Sequence, residues 1–257
     1  MEPMVKIKSN KCRHGSFSFP ANDLYVGRSM DLYGEWSEGE VTMMSRLISP
    51  GDCVVEVGSN LGTHTVPLAR MVGESGSVIA FEPQRMIFQL LCANLVNNGL
   101  TNVWAYNSAV GRATGTVTVP EIDLGATCNF GCIRVGSKNG TKTPIVTLDS
   151  LELEKIDLLK IDAEDYEPQV LLGAYETIER LLPPIFLEYN HHMREEINKV
   201  LRLFPYRAWT FDEPLFSPEN YRKNTENVFD NTYSFNLLLS TDSIEGVTDT
   251  LQELSLE

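Results

Sequence analysis

The sequence predicts an α/β fold: a mostly parallel sheet with helices on both faces. Two observations carry this. The stretch from Gly51 to Glu82, GDCVVEVGSNLGTHTVPLARMVGESGSVIAFE, reads as strand, tight turn, helix and strand. Beyond it, short apolar runs keep alternating with stretches of helical periodicity, as successive βα units do. Cys53 to Val57 is apolar and β-branched along its whole length, as a strand buried on both faces requires. Gly58 and Gly62 bracket the turn, where a missing side chain lets a ligand approach the main chain. Leu61 to Val72 carries apolar positions at helical spacing, and the free N–H groups of that helix start suit a negative group. Val78 to Phe81 is the second strand. Glu82 at its tip is placed to accept hydrogen bonds from both hydroxyls of a ribose.

The turn is not a dinucleotide fingerprint. G-x-G-x-x-G needs three glycines, and after Gly58 this chain has Asn60 and Thr63 at the second and third positions.

The remaining elements follow in order. Residues 1–36 are punctuated by Gly15, Pro20, Gly27 and Gly34 and predict short strands or loops, an N-terminal extension with Tyr33, Glu35 and Trp36 as a cover above the turn. Ser37 and Glu40 have capping-box spacing ahead of a helix bearing Val41, Met44, Leu47 and Ile48. Arg85 to Asn98 is a helix stopped at Asn98-Gly99, and Asn102 to Tyr106 a third strand. Residues 111–148 predict a hairpin insertion, with Gly115 to Val119 and Asn129 to Val135 as its strands. Ile156 to Asp162 is the fourth core strand. One helix follows, with Pro168 in its first turn and running to Leu181. Pro184 to Glu188 is the fifth strand, and Ile197 to Phe204 a further helix. Tyr206 to Phe211 and Ser234 to Ser240 form a final pair around a loop at 212–233, long enough to be read as an active-site loop. Residues 241–257 are an acidic tail expected to fray, with at most a turn of helix. The domain proper is thus 37–240.

Composition limits the partners. A chain of 257 residues, 42% hydrophobic, can bury a full core. Its net charge of −14 disfavours a long nucleic acid. Five cysteines without a CxxC pair suggest reduced thiols and a cytoplasmic location. The N-terminus has no apolar export core, and no stretch is long enough to span a bilayer. The sequon at Asn139 is accordingly dismissed.

The pattern Glu56-x-Gly58-x-Asn60-x-Gly62 resembles motif I of the class I S-adenosylmethionine (SAM) methyltransferases. The wider chain resembles the FkbM family among them. VVEVGSNLGTHT (54–65), VIAFEPQ (78–84), LCANLVNNGL (91–100), VTLDSL (146–151), KIDAEDYEPQVLLGA (160–174), PLFSPENY (214–221) and ENVF (226–229) carry the likeness. The resemblance implies a Rossmann-like, seven-stranded, mostly parallel sheet ending in an antiparallel hairpin, and five βα units with a final strand pair agree with it. It implies SAM as cofactor, held by Glu56, Gly58, Ser59, Asn60, Gly62, Thr63, His64, Thr65, Glu82, Pro83, Ser108, Ala109 and Asp162, with Glu56 orienting the methionine part and Ser108-Ala109 meeting the adenine. It implies methyl transfer, most often to a hydroxyl of a sugar, lipid or secondary metabolite. The chain departs from the family at Asp165, where K-I-D-x-E-G has glycine. Aspartate tolerates left-handed angles, so the turn is expected to survive and to add a charge.

A hydroxyl nucleophile needs positioning and a proton acceptor. Candidates gather at the fourth and fifth strand tips, the ligand edge of an open α/β sheet. Asp162, Glu188 and His191 are the expected catalytic residues, with Glu164, Asn190 and His192 beside them. Asp162, Glu188 and Asn190 offer oxygen ligands to magnesium or calcium, yet neighbouring strand tips commonly carry acids, and the expectation is a site without metal. N-methylation and a SAM-binding protein without transferase activity are the alternatives. The oligomeric state and the identity of the small-molecule or glycan acceptor stay open.

Overall fold

The protein is described here from a computed structural model covering residues 6–256. The first five residues of the N-terminal extension and Glu257 of the tail lie outside the described residues.

The chain opens with an antiparallel hairpin, β1 (Ile7–Cys12) and β2 (Gly15–Pro20), followed by α1 (Val26–Leu32) and α2 (Glu38–Ser45). The alternating part comprises β3 (Cys53–Val57), α3 (Thr65–Val72), β4 (Ser77–Phe81), α4 (Arg85–Asn97) and β5 (Val103–Tyr106). β6 (Ala109–Val110) precedes the insertion, which holds β7 (Gly115–Val119) and β8 (Thr141–Val146). Then come β9 (Leu158–Ile161), α5 (Glu167–Leu172), α6 (Tyr175–Leu181), β10 (Ile185–Glu188), α7 (Arg194–Leu201), β11 (Arg207–Pro214), β12 (Tyr233–Ser240) and β13 (Gln252–Leu254).

The main sheet runs β13-β11-β12-β10-β9-β3-β4-β5. β10, β9, β3, β4 and β5 are parallel, and β12, β11 and β13 add antiparallel pairings. The chain order reverses beside β3, between β9 and β4, and that switch point opens the crevice in which such sheets bind ligands. Alternate residues serve opposite faces. Val54, Val78, Ala80, Leu158 and Phe186 pack with α3 and α4 residues such as Leu68 and Ile87. Val55, Val57, Leu159, Ile161 and Leu187 pack with α5, α6 and α7 residues such as Val170, Ile178 and Ile197. Burial on both sides explains the unbroken apolar runs in the sequence.

The structure changes four expectations. The sheet has eight strands, because the acidic tail supplies β13. Ala208 pairs with Leu254 there, and Arg207 forms a bidentate salt bridge with Glu253, so the tail's charge faces outward while Leu254 packs inward. Three residues are too few to display a strand period. The expected helix to Leu181 divides at Gly173, whose α-carbon lies so close to the Gly111 carbonyl that a Cβ would sit 1.9 Å from it. The second insertion strand is β8 rather than Asn129 to Val135. Asn129 Oδ1 accepts hydrogen bonds from the Gly131 and Cys132 amides and curls that segment into a turn. Finally, Ser37 makes no side-chain cap and sits at φ 43°, and Glu40 turns inward instead of closing a capping box.

The N-terminal hairpin is clamped to α4 by two asparagines. Asn94 bonds both main-chain groups of Ser18, and Asn98 bonds both of Ser16. Among the described residues no helix is long and apolar enough to cross a membrane.

Candidate active site

The C-terminal edge of the parallel strands faces a cavity of about 390 Å³. One wall is the turn after β3. Gly58 has φ +86° and lies so close to the Asp162 carbonyl that a Cβ would sit 1.7 Å from it. The glycine therefore lets the β3 and β9 tips touch. The Gly58 and Ser59 amides both donate to the Phe81 carbonyl at 3.0 Å, tying the turn to β4. Glu82 is buried, and its two carboxylate oxygens accept the Asn60 and Gln84 amides at 2.8 Å each. Burial pushes its pKa up to about 7, against the pull of those amides. Beyond it lie Pro83, Gln84, Ile87, Ser108 and Ala109. The Gln84 Nε2 is buried without a hydrogen-bond partner.

A second wall centres on Lys160, which is 2% exposed. Its ammonium donates to Asp162 Oδ2 at 3.3 Å and stands 3.9 Å from Glu56 Oε1, the residue opposite it in the β3–β9 register. Burial alone would lower the Lys160 pKa, but Asp162, Glu56 and Glu40 together raise it. Burial raises the pKa of Glu56 and of Glu40, and Lys160 opposes both shifts. Glu40 also accepts Asn236 Nδ2 at 3.2 Å. Burial first, and then the Lys160 charge, hold His64 well below its ordinary pKa and so neutral, with Nε2 unbonded 3.7 Å from Glu40.

The third wall is acidic. Asp162, Glu164 and Glu188 each bring a carboxylate oxygen to within 4.8 Å of the others. Burial and then Asp162 push Glu164 up to about 8, and burial, Asp162 and Glu164 raise Glu188 well above its usual value. Glu164 and Asp165 both occupy the left-handed region, at φ 51° and 71°. Asp165 binds His192 Nε2 at 2.6 Å and pairs with Arg134 from the insertion.

Three segments cover the cavity. Tyr25, Val26 and Trp36 come from the N-terminal part, Asn129 to Val135 from the insertion, and Leu215, Thr232 and Tyr233 from the late loop and its end. Tyr33 and Glu35 stand behind the cover. The Tyr33 hydroxyl donates to the Glu226 carbonyl and accepts the Val228 amide, and Glu35 accepts the Tyr221 amide.

Of the expected cofactor residues, Gly58, Ser59, Asn60, Thr63, His64, Glu82, Pro83, Ser108, Ala109 and Asp162 line the cavity. Glu56, Gly62 and Thr65 sit behind it. Glu56 is 0% exposed and accepts the Thr65 hydroxyl at 2.5 Å. Of the expected catalytic residues, Asp162 and Glu188 face the cavity, while the His191 ring packs edge-on against Phe235 and it is His192 that lines the wall. Lys160, Glu40 and Gln84 went unnoticed as site residues. A lysine inside the apolar run Leu158-Leu-Lys-Ile161 was the one readable signal among them.

The sequence profile of the methyltransferase FkbM domain matches residues 56–215, from Glu56 behind the first wall to Leu215 in the cover. The chain belongs to the FkbM methyltransferase family. Methyltransferase FkbM from Methylobacillus flagellatus KT is similar in structure, with a TM-score of 0.51 and 16% identity over 74% of this chain. This chain spans 44% of that protein's length. Trm5b from Pyrococcus abyssi is similar at TM-score 0.51 and 13% identity, over 92% of this chain and 56% of that one. At such identities the likeness is one of fold. No curated protein sequence matches the chain. Within the FkbM pattern the glycine-to-aspartate departure at 165 keeps the left-handed turn, and the charge it adds is met by Arg134 and His192.

Proposed function

We propose that this FkbM chain is a cytoplasmic SAM-dependent O-methyltransferase acting on a hydroxyl of a small molecule or glycan. The observation that carries the reading is one continuous cavity joining the Gly58 turn and Glu82 to the carboxylates at the β9 and β10 tips. Its size falls in the usual range for small-molecule sites, about 300–1,000 Å³.

The residues present fit the cofactor. Glu82 is held by two amides in a fixed orientation, with lone pairs left for ribose hydroxyls. The unpartnered Gln84 Nε2 belongs to a residue that lines the same cavity as Ile87 and Ser108, and an adenine there would find a donor and an apolar face. SAM, when bound, supplies a methyl group on a sulfonium. The protein's own work is positioning and proton management. Asp162 and Glu188 flank the acceptor space, and a carboxylate there can take the hydroxyl proton. The covering segments narrow the space beside the carboxylates.

The acidic third wall favours one second reading, an amine acceptor attracted as a cation. Binding of S-adenosylhomocysteine by calorimetry, with Glu82→Ala as control, tests the cofactor site. Absence of binding refutes the reading. Labelled-methyl transfer to matched hydroxyl and amine acceptors separates the two acceptor classes.

A further inference from the structure

We propose that Asp162, Glu164 and Glu188 bind a hard divalent cation of the magnesium or calcium class on the acceptor side of the cavity. The sequence alone suggested Asn190 as third ligand and favoured no metal. The structure brings in Glu164 instead, from the turn after β9.

The geometry comes first. One oxygen from each carboxylate lies within 4.8 Å of the others. Two oxygens on opposite sides of one such ion, at about 2.1–2.5 Å each, stand roughly 4.2–5 Å apart. Three oxygens within that spacing are close enough to share a single centre after small side-chain adjustments. β9 and β10 are neighbours in the interior of the sheet, so two of the ligands stand on rigid supports.

An independent observation points the same way. Glu188 Oε2 is buried and has no hydrogen-bond partner. A buried carboxylate oxygen left bare is costly, and a cation bound there would remove the cost. The nearby side-chain cations reach only one of the three carboxylates, Asp162, and leave the other two unpaired. Lys160 faces Asp162 Oδ2 and Glu56, and Arg134 and His192 take Asp165. Among the described residues no salt bridge reaches Glu164 or Glu188. All three donors are carboxylate oxygens, which select hard ions over zinc or copper. The cavity leaves the remaining coordination positions open to water and to an acceptor hydroxyl. A hydroxyl bound to the ion would be fixed in place and made more acidic, as metal-bound water is. The binding site stands on the carboxylate geometry; its part in activating an acceptor rests on the methyltransferase reading.

The test uses the full chain stripped with a chelator. Calorimetric titration with magnesium, calcium and manganese is expected to show one saturable site, with Kd on the order of 10⁻⁵–10⁻³ M. Glu188→Gln and Glu164→Gln should each weaken it at least tenfold, and the exposed Glu179→Gln should leave it unchanged. S-adenosylhomocysteine binding, run on the same samples, keeps the two readings apart. Cofactor product bound without any cation binding overturns the cation site alone. Cation binding without product binding overturns the methyltransferase reading alone. Cation binding indifferent to both glutamate substitutions places the ion elsewhere and overturns the proposal. If either variant fails to fold, manganese broadening of histidine ring signals in the unaltered protein decides the matter. His192 must broaden before His14, and the reverse order overturns the site.

Discussion

Replacing Lys160 with methionine is the sharpest test of the second wall. The side chains are similar in length, so the change removes charge more than volume. At an effective dielectric constant near 20, the contacts at 3.3 Å to Asp162 and 3.9 Å to Glu56 are worth about 5 and 4 kcal/mol of attraction. Desolvation of the ammonium cancels several kcal/mol of that. What remains to be lost is the compensation of Glu56, 0% exposed, and Glu40, 5% exposed. Breaking one partner out of a buried ionic cluster costs roughly 3–5 kcal/mol. For a chain of this size that lowers Tm by about 10 °C. The loss is also pH-dependent. Glu40 and Glu56 already have raised pKa values from burial. Without Lys160 these rise further, so protonation relieves the strain in acid, and the deficit must be larger at pH 8 than at pH 5.5. Thermal unfolding followed by circular dichroism at both values measures it. Glu56→Gln added to Lys160→Met should recover part of the loss, since one bare carboxylate is then gone. A deficit below about 1 kcal/mol at pH 8, an equal deficit at both pH values, or strict additivity of the two substitutions would refute the cluster as a stabilising unit.

Three further outcomes are expected. Gly58→Ala forces a Cβ against the Asp162 carbonyl at a positive φ, and urea unfolding should show a loss of about 3 kcal/mol or more; a loss under about 1 kcal/mol would mean the strand tips are not in contact. Glu82 has its folded pKa raised from 4.5 to about 7. Its contribution is therefore complete below pH 4.5 and lost as pH rises towards 7. Unliganded protein should lose up to about 3 kcal/mol over that window relative to Glu82→Gln, and parallel curves for the two proteins would contradict the raised value. Arg134→Ala removes the pairing between insertion and Asp165. Arg134 is 61% exposed, so stability should change by no more than about 0.5 kcal/mol, while KM for the acceptor rises severalfold with kcat nearly constant in steady-state assays. An unchanged KM would show that the insertion does not help hold the acceptor.

The parts of this molecule that were legible in sequence are those in which neighbours in the chain are neighbours in space. The β3 turn announced itself through Gly58 and Gly62. Glu82 lies two residues from the Gln84 amide and one βα unit from the Asn60 amide that hold it. The parallel strands showed as unbroken apolar runs because both faces are buried. Asp162 and Glu188 followed from their places at strand ends. The misreadings share a different cause. Glu40 had the spacing of a capping partner, and only the distant Asn236 and Lys160 give it another direction. His191 and His192 are adjacent and equivalent in sequence, and Phe235 on a remote strand takes one while Asp165 takes the other. Gly173 looked like an ordinary helical residue until Gly111, far back in the chain, came against it. Periodicity reports which face a residue occupies, and such distant partners lie beyond its reach.

The cover over the cavity extends this argument to function. It is built from three segments with little regular structure where they meet, and main-chain groups carry most of the bonds between them. The Leu24 amide donates to the Cys128 carbonyl, and Asn22 Nδ2 to the Gly125 carbonyl, joining the N-terminal part to the insertion. Arg13 reaches Glu35 and the Glu219 carbonyl, and the Tyr33 hydroxyl bonds the late loop at Glu226 and Val228. The N-terminal segment is therefore bonded to both flanking covers. The sheet edge supplies the Gly58 turn, Glu82 and the carboxylates, while the cover sets the shape of the space beside them. On the methyltransferase reading, a change of acceptor within this architecture then falls to residues such as Trp36 and Ile133, which lie outside the strands, and any substitution at Tyr33 or Glu35 must act on acceptor binding through the segments they hold rather than by contact.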